Sequence, residues 1–213
     1  MKFGNILAGT ALAAATLVAG SALASTPAFG VSGTVFDAGG AGAPVNLGTV
    51  FTATANESVD ALGFYTAPAT TDEEVGLYDA SGNLLASATV SLTGPSIGGY
   101  AYQGIAPVSL TAGSTYTVVD YVGENDWDYG SVPPTTSAAV TYSYHDYLYT
   151  SSLQFTFETG GAAGGPTGVY YGPNLEIASS ATPEPASWAM MLVGLGALGA
   201  MARIRRREVA ATA

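Results

Sequence analysis

The chain has 213 residues, a formal net charge of −11 and no cysteine, and its five basic residues are Lys2, Arg203, Arg205, Arg206 and Arg207. Positions 3–202 therefore hold neither Lys nor Arg, which argues against nucleic-acid binding and phosphoryl transfer, since both set cationic side chains against phosphate. The missing thiols exclude disulfide, thiolate-zinc and cysteine-nucleophile chemistry, and the 28 Gly and 13 Tyr among few charges suit an exported all-β domain.

Residues 1–24 read as a secretory signal peptide. Lys2 supplies the positive start, residues 6–18 the apolar centre, and Ala22-Leu23-Ala24 the small-x-small site, so signal peptidase is expected to cut between Ala24 and Ser25.

Residues 25–177 carry no long apolar pattern at helical spacing. Short alternating runs are separated by Gly, Pro, Asn, Asp and Ser, which predicts strands over 49–54, 59–65, 74–78, 84–90, 99–105, 114–122, 141–144 and 169–177. The Asp79-Ala80-Ser81-Gly82-Asn83 stretch between apolar runs predicts a hairpin turn. Pro107 has no amide hydrogen for a central ladder, so 107–113 reads as an edge segment and turn. The clearest alternation is Leu153-Gln154-Phe155-Thr156-Phe157-Glu158, expected as a strand with Leu153, Phe155 and Phe157 in the core. Residues 38–43 and 160–166 read as loops. The fold class expected is all-β: a single antiparallel β-sandwich, jelly-roll or immunoglobulin-like, with the signal peptide before it and one short C-terminal transmembrane helix after it.

Within this domain, Asp120, Glu124, Asp126 and Asp128, together with Asn125, crowd around Trp127. Hard oxygen ligands at that density suit Ca²⁺, although the spacing departs from an EF-hand loop and a solvated acidic loop is the plainer reading. No other cofactor is expected. Asp72-Glu73-Glu74 reads as a solvated turn. Trp127, Tyr129, Tyr142, Tyr144 and Tyr147 form a candidate glycan-binding set, because aromatic faces stack on sugar rings while nearby polar groups bond to hydroxyls. Packing within the sandwich is the competing explanation. The lone His145 has no Gly-x-Ser-x-Gly elbow near it, and no carboxylate pair stands out for glycoside hydrolysis, so no catalytic residue is assigned and the protein is not expected to be an enzyme.

Residues 178–182 form a small-residue linker. Pro183-Glu184-Pro185 follows, then an uncharged run of 17 residues at 186–202 that begins with Trp188 near its edge, then Arg203, Arg205, Arg206 and Arg207, then a cytoplasmic tail at 208–213. Seventeen residues is at the short limit for a spanning helix. The Arg cluster should stay on the cytoplasmic side, since hydrocarbon strongly disfavours guanidinium groups.

The order Pro-Glu-Pro, Trp-containing Gly-rich span and Arg cluster at 183–207 resembles the PEP-CTERM sorting signal of Gram-negative bacteria. That resemblance implies recognition by an exosortase, a membrane cysteine protease acting near Pro-Glu-Pro, with transient inner-membrane anchoring and then a cell-surface or extracellular location. It also implies export by bacteria that make exopolysaccharide. The body is similar to small secreted bacterial β-sandwich domains of undetermined function, through Val59-Asp60-Ala61-Leu62-Gly63-Phe64-Tyr65, Val75-Gly76-Leu77-Tyr78-Asp79, the stretch from Leu84 to Val90, Leu110-Thr111-Ala112-Gly113-Ser114-Thr115-Tyr116 and Tyr171-Gly172-Pro173-Asn174-Leu175. The expected function is a non-enzymatic surface or matrix protein associated with exopolysaccharide or biofilm. A lectin-like module, Ca²⁺-assisted, is the second reading, and a secreted hydrolase the third.

Overall fold

The computed structural model describes residues 25–37, 44–67, 69–123, 125–130, 132–156, 169–178 and 193–194. The leader, the two loops at 38–43 and 160–166, the Pro-Glu-Pro motif and the Arg cluster lie outside these. Among the described residues no helix is long and apolar enough to cross a membrane.

Alternation of apolar and polar residues, interrupted by turn formers, produces fifteen strands among the described residues. They are β1 (Thr26–Pro27), β2 (Phe29–Gly30), β3 (Val35–Asp37), β4 (Val45–Ala53), β5 (Glu57–Tyr65), β6 (Glu73–Asp79), β7 (Leu84–Val90) and β8 (Ser96–Ile97). There follow β9 (Tyr100–Leu110), β10 (Thr115–Tyr121), β11 (Asp128–Gly130), β12 (Thr135–Thr136), β13 (Val140–Tyr149), β14 (Val169–Tyr171) and β15 (Pro173–Ile177). Two five-stranded sheets, ordered β1-β15-β5-β9-β8 and β13-β4-β10-β6-β7, make the sandwich. A three-stranded sheet β14-β11-β3 and a pair β12-β2 complete it. All pairings are antiparallel.

The core lies between the two large sheets. Phe51, Leu77 and Val118 from one sheet meet Leu62, Phe64 and Leu175 from the other, all fully buried. Each such side chain contributes about 1.5–3 kcal/mol on leaving water, so a one-residue slip, which would turn a whole row outward, is strongly disfavoured.

The hairpin forms as its turn chemistry requires. Gly82 takes φ +82°, and the Asp79 carboxylate accepts from the Ser81 and Asn83 amides at 2.8 and 3.0 Å. Pro107 falls inside β9, but where the β5–β9 register shifts between Val59 and Ala61, so no ladder bond is lost there.

Segment 153–156 corrects the sequence reading. It is not a strand and does not enter the core. It crosses the outer face of the β4-β10-β6 sheet, tied down by Asn46, whose Nδ2 donates to the Ser152 carbonyl at 3.0 Å while its Oδ1 accepts from the Gln154 amide at 3.2 Å. Leu153 lies over Gly76, Phe155 packs on Tyr78 with ring centroids 5.6 Å apart, and Thr156, expected in water, is buried over Gly48. The two glycines leave the shallow places this segment fills. Phe157 and Glu158 are outside the described residues.

Chain direction gives the sandwich two distinct poles. At one, Thr26 of β1 is the Cα partner of Ile177, so the start of the domain and the exit toward the C-terminal tail stand side by side. At the other, β4 and β15 begin, β5 and β10 end, and Val122, Asp126 and Trp127 line a small cavity beside Asp120 and Gly172.

Candidate functional site

The far pole gathers most of the described residues that the sequence singled out for glycan or metal binding. After β10 the chain turns at Gly123 with φ +61°, held by the Val122 amide on the Val45 carbonyl and the Asn125 amide on the Val122 carbonyl, each at 2.9 Å. Asn125 is then buried as a staple. Its Oδ1 accepts from the amides and hydroxyls of Thr70 and Thr71 at 3.0–3.1 Å, and its Nδ2 donates to Glu73 Oε1 at 2.8 Å. The turn is thereby pinned to the strand that carries Glu73.

From that turn a row of rings crosses the pole. Phe36 stacks on Tyr129 at 5.4 Å and 26°, Tyr129 meets Trp127 at 6.4 Å, and Trp127 sets its edge on Tyr170 at 4.8 Å. Tyr170 reaches Tyr147 at 6.4 Å, which contacts Tyr149 at 5.4 Å. The row is buried in the middle and open at its ends: Tyr170 is 4% exposed, while Phe36 is 42%, Tyr129 37% and Tyr149 61% exposed. Burial first, then the neighbouring Tyr147 and Tyr149, push the Tyr170 phenol up to about 12, so it stays neutral at ordinary pH.

A branch leads through His145, 6.1 Å from Tyr170 and 4.9 Å from Tyr142. The His145 Nδ1 lies 3.1 Å from the Thr49 hydroxyl, and among the described residues Nε2 has no hydrogen-bond partner. Burial lowers its pKa to about 4, against a smaller opposing effect of the Gly48 backbone. A neutral imidazole on a hydroxyl is a packed core group.

Beneath the aromatic row two carboxyls sit on the inner face. Asp120 is 1% and Glu73 4% exposed. Burial pushes Asp120 up to about 8, while Glu73 is raised well above the carboxylate range, first by burial and then by the Asp120 charge. Among the described residues no hydrogen bond of good geometry reaches either Asp120 oxygen; Glu73 first, then the Asp120 and Leu47 backbone, partly oppose the rise that burial causes. The pair borders a cavity of about 10 Å³ that Asp126 and Trp127 also line, and the buried Asp126 Oδ1 has no hydrogen-bond partner among the described residues. Among the described residues no three His, Asp or Glu side chains make up a metal centre.

The family model described as Domain of unknown function (DUF4082) matches residues 32–171, most of the chain. The chain belongs to the DUF4082 family. A second model, the PEP-CTERM protein-sorting motif, matches residues 181–207, so this DUF4082 protein is exported, anchored in a membrane for processing, and sorted by an exosortase. No curated protein and no solved structure matches it.

The far pole of the DUF4082 domain joins some predicted residues and separates others. Trp127, Tyr129 and Tyr147 belong to one aromatic row, and Tyr142 connects through His145. Tyr144 does not: a bulge between Tyr142 and Tyr144 turns it to the opposite face of β13. Of the acidic set, Asp120 and Asp126 share the cavity, Asp128 is buried in β11, and Glu124 lies outside the described residues. The signal-cleavage residues Ala22 and Ala24 lie outside them too, as do Pro183, Glu184, Pro185, Trp188 and Arg203, Arg205, Arg206 and Arg207; Ser25 is described, and its hydroxyl donates to Asp60 at 2.8 Å.

Sequence reasoning missed Glu73. Read as part of a solvated turn, it is buried, with only Asp72 and Glu74 in water. Extending the alternation of Val75 and Leu77 back by one step places it on the core face. Phe36 and Tyr170 were also missed, because their partners come from strands distant in sequence.

Proposed function

We propose that this DUF4082 protein is a non-enzymatic component of the cell surface or extracellular matrix that acts alongside exopolysaccharide and holds glycan at its aromatic pole. The observation that carries this reading is the row from Phe36 to Tyr149, open at both ends and set at the pole opposite the tail exit. Aromatic faces suit the apolar faces of sugar rings, and the acidic, Lys-free and Arg-free body makes anionic polymers poor partners, favouring neutral or amino sugars.

The hydrolase reading finds less support. Glycoside hydrolysis needs two carboxyls about 5–10 Å apart across a sugar-sized opening, whereas Glu73 and Asp120 adjoin each other at a cavity of about 10 Å³. His145 is buried on a threonine hydroxyl rather than a nucleophile's base site.

Affinity electrophoresis through gels cast with the producer's own exopolysaccharide tests the proposal. Retardation of the wild-type chain is expected, with mobility restored in a Phe36→Ala, Tyr129→Ala double variant. Unretarded wild type across that polymer and a panel of neutral glycans would remove the glycan role. A deletion strain that forms normal biofilm or floc would remove the matrix role.

A further inference from the structure

The pole at which the chain enters β1 and leaves β15 holds a second group of carboxyls. Asp60 lies where both ladders of β5 shift register, between Val59 and Ala61, so it has no Cα partner in β15 or in β9. A bulge of this kind re-aims one side chain. Asp60 Oδ2 accepts from the Ser25 hydroxyl at 2.8 Å, while Oδ1 is buried with no hydrogen-bond partner among the described residues. Pro27 is the Cα partner of Glu176, and alternation sets Ser25 on the same face. Burial first, then the Asp60 charge, raises the Glu176 carboxyl. Tyr102 is 4% exposed, its hydroxyl too lacks a hydrogen-bond partner among the described residues, and burial and then Glu176 push its phenol up. Buried anionic oxygens call for a donor or a positive charge, yet no Lys or Arg occurs between positions 3 and 202.

We propose that the α-ammonium of Ser25, set free when signal peptidase removes the leader, is the missing cation and pairs with Asp60 and Glu176. Hydrolysis of the Ala24–Ser25 bond puts the hydroxyl of water on the Ala24 carbonyl carbon and its hydrogen on the Ser25 nitrogen. The proton of the new acid passes to the amine, which is ammonium at neutral pH. That nitrogen sits on the same Cα as the side chain already bonded to Asp60, so the charge arrives beside it. Exposed ion pairs contribute little, but Oδ1 is already out of water without a donor, so the ammonium satisfies an oxygen that is otherwise unpaired. With the leader attached, the same nitrogen is a neutral amide, and the domain is less stable until the leader is gone. The inference rests on the expected cut before Ser25 and is independent of glycan binding.

The pair has a selective probe. Lys2 leaves with the leader, so Ser25 carries the one primary amine of the processed chain. Chain exported by the producer is first read by N-terminal sequencing, which should begin at Ser25. N-hydroxysuccinimidyl acetate should then acetylate the folded chain at least about 10-fold more slowly than the urea-unfolded chain at pH 7. Once acetylated, the folded chain should show a Tm lower by about 3–6 °C. Asp60→Asn should restore fast labelling and remove the effect of acetylation on Tm. Glu74→Gln, which removes an equal charge from the solvent face of β6, should leave both as in wild type. A chain that begins at Ser25, labels equally fast folded and unfolded, and keeps its Tm on acetylation overturns the pair alone. A chain that begins at another residue overturns the cut, and the pair with it. The wild-type rates need no variant, so an Asp60→Asn chain that fails to fold leaves the result decisive.

Discussion

Asn125 Nδ2 donates to Glu73 Oε1 at 2.8 Å, joining a loop amide to a buried carboxyl that has no cationic partner. The same Asn125 holds Thr70 and Thr71 through its oxygen, so one side chain ties the turn after β10 to the stretch 70–73 at the far pole. Asn125→Ala should leave the part-buried Thr70 and Thr71 donors and the buried Glu73 oxygen without their partner. The expected loss is about 2–4 kcal/mol, read from urea unfolding, and a loss below about 0.5 kcal/mol would show the loop is held by other means.

Stability should depend on pH in a direction set by Asp120 and His145. Asp120 ionises near 8 in the folded chain against 3.8 as a free group, so the folded state holds the extra proton between those values and becomes less stable as pH rises. Glu73, raised by burial and by Asp120, acts in the same direction. His145, lowered from 6.5 to about 4, is protonated first in the unfolded chain, so it costs stability as pH falls through that interval. The two effects oppose each other between about 4 and 6.5. From about 6.5 to 8 only the carboxyls act, and Tm measured in chelator should decline. Asp120→Asn should flatten that decline.

Gly48→Ala tests how the 153–156 segment is held. A Cβ at residue 48 would stand 2.1 Å from Thr156 Oγ1 and 3.2 Å from its Cβ. Overpacking at this contact should cost about 1–3 kcal/mol and expose residues 150–156 to limited proteolysis. Unchanged cleavage would mean the segment adjusts without leaving the sheet.

The two faces of β13 should differ in glycan retention. Tyr149→Ala removes an open end of the aromatic row and should weaken retention in affinity electrophoresis. Tyr144→Ala, on the opposite face, should leave mobility as in wild type although Tyr144 is itself 46% exposed. Equal effects of the two would place the contact elsewhere.

What could be read in advance depended on how local the governing physics is. The Asp79–Asn83 turn was legible because its bonds span four residues. The sorting motif was legible because a membrane and a protease read it as linear sequence. Leu153 and Phe155 show the limit: alternation says that one set of side chains is covered, not which sheet face covers it. Gly48 and Gly76 decided that, from strands far along the chain. Glu73 was hidden between two solvated acids, and only strand register shows that its side chain turns inward toward Asp120. The aromatic row is legible in part, since Trp127 and Tyr129 are neighbours whereas Phe36 and Tyr170 arrive beside them through the β14-β11-β3 sheet.

The pairing of Thr26 with Ile177 has a mechanical consequence. A domain tethered through residue 178 and loaded at its aromatic pole is pulled along its strands, since β15 runs from one pole toward the other. Hydrogen bonds from β15 to β5 and β1 are then loaded together in shear instead of being unzipped in turn. The strand bearing the tether lies between two neighbours and not at a sheet edge. Such a domain would yield late under a pulling force, which suits the matrix role proposed above.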